Sequence, residues 1–292
     1  MQQIFDHTYH LWAKDNISAN GAVTYSQDLV ANQVPELRKA LKGKNVIIST
    51  ASKLNVISKF DLEHEHYDMA IQYLHTYPYG DPKGYIRKIV SQANFTASKW
   101  VFMTAYKPFE QIINDGIGGD FHAVYTPMSI DIEQMPQRKN FVENSVVYFG
   151  NLYMSKTEVY DEVRKFCRNN NIMFNTIAFS QLNNNQQKLT QMQAWEIVGE
   201  HEYGIGVGRC ALEMMAMGLK VFIFGQERGG IMVDEDDWRK QQAINMNGRI
   251  TTYDRTFEAC WHNRKNIFLP NVADFAIGNK KHCLYLQEKG LI

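Results

Sequence analysis

A glycine-rich stretch followed by an arginine and a glutamate occupies the segment GIGVGRCALEMMAMGLKVFIFG, residues 204–225. Unpaired backbone N–H groups and the positive end of the helix dipole collect at a helix N-terminus, and glycines let a ligand approach them closely. Arg209 would add a cation that can bind phosphate through two nitrogens, and Glu213, one helical turn later, could accept hydrogen bonds from hydroxyl groups. The segment predicts a phosphate site, although a plain glycine-rich connection with both side chains in solvent is the alternative interpretation.

Two common nucleotide-binding motifs do not describe this segment. Its glycines have the spacing GxGxG instead of the GxGxxG of dinucleotide-binding proteins, and they lie in the second half of the chain. No GK[ST] sequence follows them, which excludes a P-loop. The phosphate prediction therefore rests on neither motif.

Composition limits the kind of protein that carries this segment. The chain has 292 residues, of which 45% are apolar and 12% aromatic, so it can bury a sizeable core and fits two domains of about 140 residues each. Lys plus Arg and Asp plus Glu both number 31, which argues against a bulk electrostatic footprint for a polyanion. The four cysteines form no CxxC pair, no apolar stretch approaches the roughly 20 residues of a membrane span, and the first residues lack a signal-peptide pattern. We expect a reduced, cytoplasmic protein without a transmembrane segment, whose oligomeric state the sequence does not indicate.

Short apolar runs alternate with helical patterns and must supply the framework that positions the site. The runs predict strands because they are short, rich in β-branched and aromatic residues and bounded by polar or turn residues; they cover residues 45–50, 68–74, 99–105, 122–127, 145–150, 172–179, 195–199 and 220–225. Helical patterns lie between them, for example over residues 22–41 and 156–170. The polar segment PMSIDIEQMPQRKN, with two prolines, interrupts the alternation. The pattern predicts an α/β protein with two parallel-sheet domains, residues 1–139 and 140–292.

Three stretches resemble the GT-B glycosyltransferases. VVYFGNLYMSK is similar to the opening strand and loop of their C-terminal domain, GVGRCALEMMAMGLKVFIFGQERGG to their donor-site strand, loop and helix, and VYTPMSID to the segment that ends their N-terminal domain. This similarity is good over residues 120–240 and vague over residues 1–110. It implies two Rossmann-like domains facing across a cleft, with the acceptor on the N-terminal domain, the nucleotide-sugar donor on the C-terminal domain and the last helix packed back on the N-terminal domain. It also implies metal-independent transfer of a sugar, with a UDP-sugar as the expected donor substrate and no further cofactor.

The resemblance implies a role for each candidate site residue. The donor diphosphate would be bound by Arg209, Lys156, Gly206, Gly208 and Gly21, the ribose by Glu213, and the sugar by Glu227, Arg228, Gly229 and Gly230. His75 follows an apolar run, at the expected carboxyl end of a parallel strand, and would face the sugar as a general base or hydrogen-bond donor. Structural interpretations remain open beside these roles: a surface helix cap for Lys156, a helix start for Gly21, a turn for the Gly229–Gly230 pair, and a histidine satisfied among neighbouring tyrosines for His75.

Two positions depart from the family pattern. Many of the resembling enzymes carry an arginine after the glycine that ends the first strand of the C-terminal domain, where this chain has Asn151. Retaining members commonly have two glutamates eight residues apart, whereas Ile205 stands eight residues before Glu213. The diphosphate would then depend on Lys156 and Arg209, and the inverting or retaining outcome stays open.

The acceptor is the part of the reaction that the sequence constrains least. Frequent asparagine and lysine and the compact length resemble phage-encoded enzymes that glycosylate hydroxymethylated bases in DNA, which would place the protein in a bacterium or a phage-infected host cell. Basic clusters would then contact DNA phosphates and a group of tyrosines would stack on an extruded base, although solvated helix faces are the commoner explanation of such clusters. These residues are Arg38, Lys39, Lys42, Lys44, Lys83, Arg87 and Lys88, with Tyr73, Tyr77 and Tyr79. A cell-wall or polysaccharide acceptor, a nucleotide-sugar-binding protein without turnover and a sugar-nucleotide epimerase are the alternatives.

Two further stretches contain potential metal ligands. VDEDDW, residues 233–238, could bind a metal at a strand end, but its acids also fit the first turn of a helix, where they complement the helix dipole. EHEHYD, residues 63–68, has two histidines that would share one face of a strand, but no third ligand at a suitable spacing. We interpret the first stretch as a helix start and the second as a solvated connector, and we expect no metal site.

Overall fold

A computed structural model describes residues 10–12, 23–25, 46–50, 65–74, 81–116, 120–128, 130, 132, 135–138, 140–150, 157–178, 189–225, 228–248, 256–271 and 288. The chain divides into two compact units, one formed by Met1–Thr126 with Leu286–Ile292 and the other by Pro127–Tyr285. In the segment expected to link two domains, Ile130 is buried in the core of the second unit and Arg138 donates to backbone carbonyls of that unit. The domain limits 1–139 and 140–292 remain predictions.

The first unit contains a parallel sheet whose four described strands lie side by side in chain order. They are β3 (Val46–Thr50), β4 (His66–Leu74), β5 (Thr96–Thr104) and β6 (Phe121–Tyr125), and they follow two short parallel strands, β1 (His10–Trp12) and β2 (Val23–Tyr25). Helix α1 (Pro82–Ser91) follows β4, and helix α2 (Lys107–Gly116) follows β5. Residues 100–104 of β5 are all buried, which is typical of a parallel strand covered on both faces.

Side chains of α2 pair with the backbone of β6, which ends the order of the described strands. Asn114 donates to the carbonyl of Ala123 at 2.9 Å and accepts from its N–H at 2.8 Å. Glu110 accepts from the N–H of Tyr125 at 2.7 Å. These bonds satisfy backbone groups that an edge strand otherwise presents to other chains.

The second unit contains a sheet whose strand order differs from the order along the chain. Its strands are β7 (Val142–Gly150), β8 (Met173–Ala178), β9 (His201–Gly206), β10 (Lys220–Gly225) and β11 (Arg228–Gly230). Across the sheet they stand in the order β8-β7-β9-β10-β11, and all neighbouring pairs are parallel except β10 and β11. The chain therefore leaves β7 on one side to form β8 and returns to the other side of β7 to form β9.

Described helices cover both faces of this second sheet. They are α3 (Thr157–Asn169), α4 (Gln191–Gly199), α5 (Arg209–Ala216), α6 (Glu235–Ala243) and α7 (Phe257–His262), and the 3-10 turn Arg264–Asn266 follows α7. Alternate residues of β7 belong to different buried clusters, since Val147 packs in the cluster that contains residues of α4 and α5, and Val146 in the cluster that contains residues of α3 and α7. The second unit is thus a layer of helices, a mostly parallel sheet and a second layer of helices.

The prediction of an α/β protein with parallel sheets is confirmed, but one predicted strand is wrong. Residues 195–199 form the last part of α4, which begins at a capping box between Thr190 and Gln193. The strand follows at His201–Gly206, so Gly204 and Gly206 lie within β9 and not in a turn. A short apolar run does not distinguish a buried helix from a buried strand by its periodicity, and the polar capping residues were the better signal.

Two other predicted segments also differ from the structure. Residues 23–25 form β2, so the helix predicted over residues 22–41 is wrong there, and the rest of that range lies outside the described residues. His66 and the two residues after it begin β4, so this part of the predicted connector is a strand. Among the described helices, none combines the length and the apolarity needed to cross a bilayer.

Candidate functional site

The candidate site lies at the carboxyl edge of the second sheet, where the strand order reverses. β7 and β9 are parallel neighbours, with Tyr148 opposite Ile205, so their carboxyl ends at Gly150 and Gly206 lie side by side. The chain diverges at this point, because α3 leads from β7 to one side of the sheet and α5 leads from β9 to the other. In open α/β sheets such a divergence opens a crevice, and ligands bind in it.

The N-terminus of α5 lies at this point of divergence and has no side-chain cap. Gly208 is its N-cap residue and has φ of 59° and ψ of −135°, a conformation that favours glycine. α1, α4, α6 and α7 are capped by Asp81, Thr190, Asp234 and Thr256, each of which accepts a backbone N–H bond from its helix. The first N–H groups of α5 therefore donate to no side-chain cap and lie at the positive end of the helix dipole, an arrangement that suits an anion.

Glycines on β9 allow α5 to pack closely against the sheet. A Cβ on Gly204 would lie 2.2 Å from Sδ of Met214 on α5, and a Cβ on Gly206 would lie 2.9 Å from Cε of Met214 and 2.8 Å from the carbonyl oxygen of Phe149 on β7. The residues between and beside them, Tyr203 and Ile205, belong to the cluster on the opposite face. Close helix packing is thus a structural reason for both glycines, and the phosphate-binding role of Gly206 stays a prediction.

Arg209 is the first residue of α5 and pairs with Glu213, one helical turn later. Its Nε donates to Oε1 of Glu213 at 2.7 Å, while its side chain is 52% exposed. Among the described residues, no hydrogen bond engages its two terminal nitrogens, which leaves them available to an oxyanion. The sequence prediction of a cation at this helix start therefore has a geometric basis, and the binding of phosphate by Arg209 stays a prediction.

Glu213, the residue expected to bind the ribose, is almost completely buried. Its side chain is only 4% exposed, and its second oxygen accepts from the indole Nε1 of Trp195 at 3.0 Å. Gln191 lies at hydrogen-bonding distance of Oε1 as well, with Nε2 3.5 Å away. The ribose-binding role of Glu213 remains a prediction, and the structure supplies the carboxylate with protein partners on both oxygens.

A second loop borders the α5 N-terminus and was not found from the sequence. Asn245 and Met246 have consecutive positive φ angles of 56° and 51°, which is uncommon for residues other than glycine. The carbonyl of Met246 accepts from the N–H of Gly208 at 3.1 Å, and a Cβ on Gly208 would lie 3.8 Å from Nδ2 of Asn245. Asn245 is the residue type that tolerates this conformation, and this preference was the one local signal of the loop.

The glycine pair predicted to contact the sugar belongs to the antiparallel strand β11. Gly229 stands opposite Phe224 and Gly230 opposite Ile223, and both are buried. A Cβ on Gly229 would lie 1.7 Å from the carbonyl oxygen of Ile223, so only glycine fits there. Both glycines therefore lie in a strand, whereas the structural interpretation had placed them in a turn. Their role in binding the sugar stays a prediction.

Several predicted site residues lie outside the described residues. They are His75, Lys156, Gly21, Glu227, Asn151, Tyr77, Tyr79 and the basic cluster from Arg38 to Lys44. The side chain of Arg228 also lies outside them, although its backbone belongs to β11. Their assigned roles stay predictions. The site that the structure describes therefore consists of Gly206, Gly208, Arg209, Glu213 and the Asn245–Met246 loop.

The acidic stretch at residues 233–238 starts α6, as expected. Asp234 accepts from the N–H of Asp237 at 2.9 Å, and Glu235 pairs with Arg239 within the helix. His66 of the histidine-containing stretch bonds to hydroxyl groups of Thr96 and Ser98 on β5, at 2.9 Å each. Within the described ranges, no group of three or more His, Cys, Asp or Glu side chains is arranged to hold a metal ion.

A small cavity lies at the other edge of the second sheet. It is lined by Arg138 and neighbouring linker residues and by the C-terminal part of α4, including Trp195 and Gly199. Arg138 crosses this edge and donates to the carbonyls of Gly199 at 3.2 Å and Gly218 at 2.8 Å, where α4 ends and just after α5. Burial lowers the pKa of this guanidinium. The guanidinium thus caps helix C-termini, and the residues that line the cavity include none of the α5 N-terminus.

Trp195, the buried hydrogen-bond partner of Glu213, is the residue that sequence reasoning missed most clearly, because its apolar surroundings predicted a strand. The pairing of Arg209 with Glu213 had a readable signal, the spacing of four residues between opposite charges on a helix.

No model of a known protein family matches this chain, and a search of curated proteins finds no similar sequence.

Proposed function

We propose that the protein is a GT-B glycosyltransferase, with two Rossmann-like domains facing across a cleft, whose second unit binds a UDP-sugar. The observation that carries the proposal is the uncapped N-terminus of α5, placed where the strand order of the sheet reverses and followed at once by Arg209. The backbone N–H groups of an uncapped helix start, the helix dipole and a half-exposed guanidinium together suit a doubly charged diphosphate.

The proposed reaction transfers the sugar from the diphosphate to an acceptor hydroxyl. As the bond between the anomeric carbon and the diphosphate oxygen breaks, negative charge grows on that oxygen, and the α5 N-terminus and Arg209 stabilise it. Lys156 and Gly21 are proposed as further diphosphate contacts. The acceptor oxygen attacks the anomeric carbon and gives its proton to a base, for which His75 is our candidate, since a histidine with a pKa near 6.5 can accept a proton at neutral pH.

The remaining donor contacts are proposed on the resemblance described above. Glu213 is the family-derived candidate for the ribose, and Glu227, Arg228, Gly229 and Gly230 for the sugar. Ribose contact by Glu213 requires its carboxylate to leave Trp195 or Arg209, because both oxygens are engaged. This cost makes Glu213 the first of these assignments to test.

The acceptor that we propose is a hydroxymethylated base in duplex DNA. Support comes from α1 of the first unit, on which Arg87 and Lys88 are exposed and adjacent, as a phosphate contact requires. A base inside the duplex cannot reach a donor bound in a crevice, so it must be extruded, and Tyr73, Tyr77 and Tyr79 are our candidates for stacking on it.

One transfer experiment tests the function and its alternatives. The protein is incubated with radiolabelled UDP-glucose or UDP-pentose and with hydroxymethylcytosine DNA, unmodified DNA or a polysaccharide primer. We expect label on the hydroxymethylated DNA alone. Label on the polysaccharide alone would overturn the DNA acceptor and keep the transferase. Saturable donor binding without release or transfer of sugar would favour a binding protein, and isomerised donor without any acceptor would favour an epimerase.

A further inference from the structure

We infer that Glu213 is a positioning residue that acts through Arg209 and does not itself contact the nucleotide. The inference rests on the proposed function and deepens it, since it concerns how the diphosphate contact is built. In place of a direct contact between Glu213 and the ribose, it assigns a role to three side chains linked by hydrogen bonds, Trp195, Glu213 and Arg209.

The geometry of Glu213 leaves little of its carboxylate for a ligand. One oxygen accepts from the guanidinium Nε of Arg209 at 2.7 Å, and the other accepts from the indole of Trp195 at 3.0 Å. The side chain is 4% exposed, whereas that of Arg209 is 52% exposed. The charge that a ligand can reach is therefore the guanidinium, and the carboxylate lies behind it.

The choice of nitrogen in this pair has a chemical consequence. Arg209 uses Nε towards Glu213, so both terminal nitrogens remain for other acceptors. Two terminal nitrogens in one plane match two oxygens of a phosphate, which a lysine cannot do. A guanidinium fixed at Nε also loses less conformational freedom on binding, so fixing it increases affinity.

Trp195 fixes the acid in turn. Its indole is buried on α4 and donates to Glu213, which belongs to the next helix along the chain. The other pairs of the same spacing on α6, Glu235–Arg239 and Asp236–Lys240, have exposed partners on both sides. Exposed pairs of this kind hold their side chains weakly, whereas the buried acid of the α5 pair gives its arginine a defined position.

The test is a double-mutant cycle with three probes: UDP, inorganic pyrophosphate and uridine. Their dissociation constants are measured by calorimetry for the wild type, Glu213→Gln, Arg209→Ala and the double variant. Positioning predicts that Glu213→Gln weakens UDP and pyrophosphate about tenfold, leaves uridine unchanged, and adds nothing in the Arg209→Ala background. Glu235→Gln, which makes the same change in the exposed pair on α6, is the control and should change none of the three.

A direct contact between Glu213 and the ribose predicts the opposite pattern of affinity changes among the three probes. Uridine and UDP would then weaken alike in Glu213→Gln, pyrophosphate would not change, and the two substitutions would be additive; this result overturns the inference. Glu213→Asp serves as a second variant if Glu213→Gln does not fold, because it keeps the charge and shortens its reach to Arg209.

A measurement without ligand separates this inference from the proposed function. The Nε–H of Arg209 is followed by nitrogen-15 NMR, where a bond to a buried carboxylate slows its exchange with solvent. We expect slow exchange in the wild type and faster exchange in Glu213→Gln and Trp195→Phe. If the wild type binds neither UDP nor pyrophosphate, the proposed function fails. If the Nε–H of the wild type exchanges as fast as that of Arg239, the positioning role fails.

Discussion

At the scale of single residues, a substitution of Arg209 tests most directly whether the site binds phosphate. Arg209→Ala removes the half-exposed cation at the α5 N-terminus and should cost UDP binding the value of one or two charged hydrogen bonds, about 1.5–3 kcal/mol each. Uridine lacks phosphate, so its affinity should not change. Calorimetric titrations with both compounds measure the difference.

The matched control for Arg209→Ala is Arg239→Ala, which removes an exposed arginine of α6 that also pairs with a glutamate four residues away. It should leave both affinities unchanged. Equal losses for UDP and uridine in Arg209→Ala would place the arginine at the nucleoside and not at the phosphates.

His201 predicts how the stability of the second unit depends on pH. Its ring is buried, with Nδ1 2.9 Å from the carbonyl of Ile197 and Nε2 3.0 Å from the amide nitrogen of Asn175. Only a neutral ring that donates from Nδ1 and accepts at Nε2 satisfies both partners. Burial accordingly lowers the pKa of His201, with backbone hydrogen bonds to Ile197 acting in the opposite direction.

The sign of the effect follows from this lowered pKa. Below the unfolded pKa of about 6.5, the unfolded chain binds a proton at this position that the folded chain excludes, so the free energy of unfolding falls as the pH decreases. Urea unfolding between pH 8 and pH 5 should show a smaller decrease for His201→Gln than for the wild type. His122→Gln, which changes an exposed histidine of β6, should retain the decrease of the wild type. The same pH dependence in all three proteins would refute the assignment.

At the scale of elements, the packing of α5 on β9 depends on glycine. Gly206→Ala places a methyl group 2.9 Å from Cε of Met214 on α5 and 2.8 Å from the carbonyl oxygen of Phe149 on β7, a backbone atom that cannot move alone, and should lower the free energy of unfolding by about 1–3 kcal/mol. Gly199→Ala, in the last position of α4, meets no atom within 4 Å and should raise stability by about 0.5–1 kcal/mol. Thermal and urea unfolding of both variants measure the contrast. Equal stability of the two variants would contradict the close approach of α5 to β9.

The end of α5 shows an element that local sequence does determine. Gly218 has φ of 82°, its N–H donates to Met215, and the N–H of Leu219 donates to Met214, at 2.9 and 3.0 Å. These two bonds form the usual glycine stop of a helix. The end of α5 at Gly218 and the strand that follows it were therefore predictable from residues 213–225.

At the scale of the whole molecule, a zero net charge restricts how DNA could bind. Attraction to phosphates would have to come from local clusters, and each phosphate contact contributes about 0.9 to the slope of log affinity against log salt. If α1 contacts DNA, the variant carrying both Arg87→Gln and Lys88→Gln should reduce this slope by about 2, as measured by fluorescence anisotropy with labelled duplex.

The control for this variant is Arg164→Gln with Lys165→Gln, since both residues are exposed and adjacent on α3 of the second unit. It removes the same charge from the molecule and should leave the slope unchanged. An equal change of slope in both variants would show that overall charge, and not the α1 cluster, attracts the DNA.

Sequence alone determined the class of the fold and most of its elements. Strands of parallel sheets are short and rich in β-branched and other apolar residues, and seven of the eight predicted strands overlap observed ones, in β3 to β8 and in β10. Caps and stops are equally local, as the acids at the start of α6 and the glycine after α5 illustrate. These features depend on residues within one turn or one strand, where the physical preference of each residue acts directly.

Only the tertiary structure decided which residues meet at the candidate site. The strand order places β9 beside β7, and no local pattern encodes that crossing. Trp195 and Glu213 are 18 residues apart and join through side chains of two helices, so burial of the acid could not be inferred from its own segment. The bond between the N–H of Gly208 and the carbonyl of Met246 likewise joins the start of α5 to the end of α6, which are separate in the sequence. A site assembled from separate segments depends on packing, and packing is a property of the folded chain.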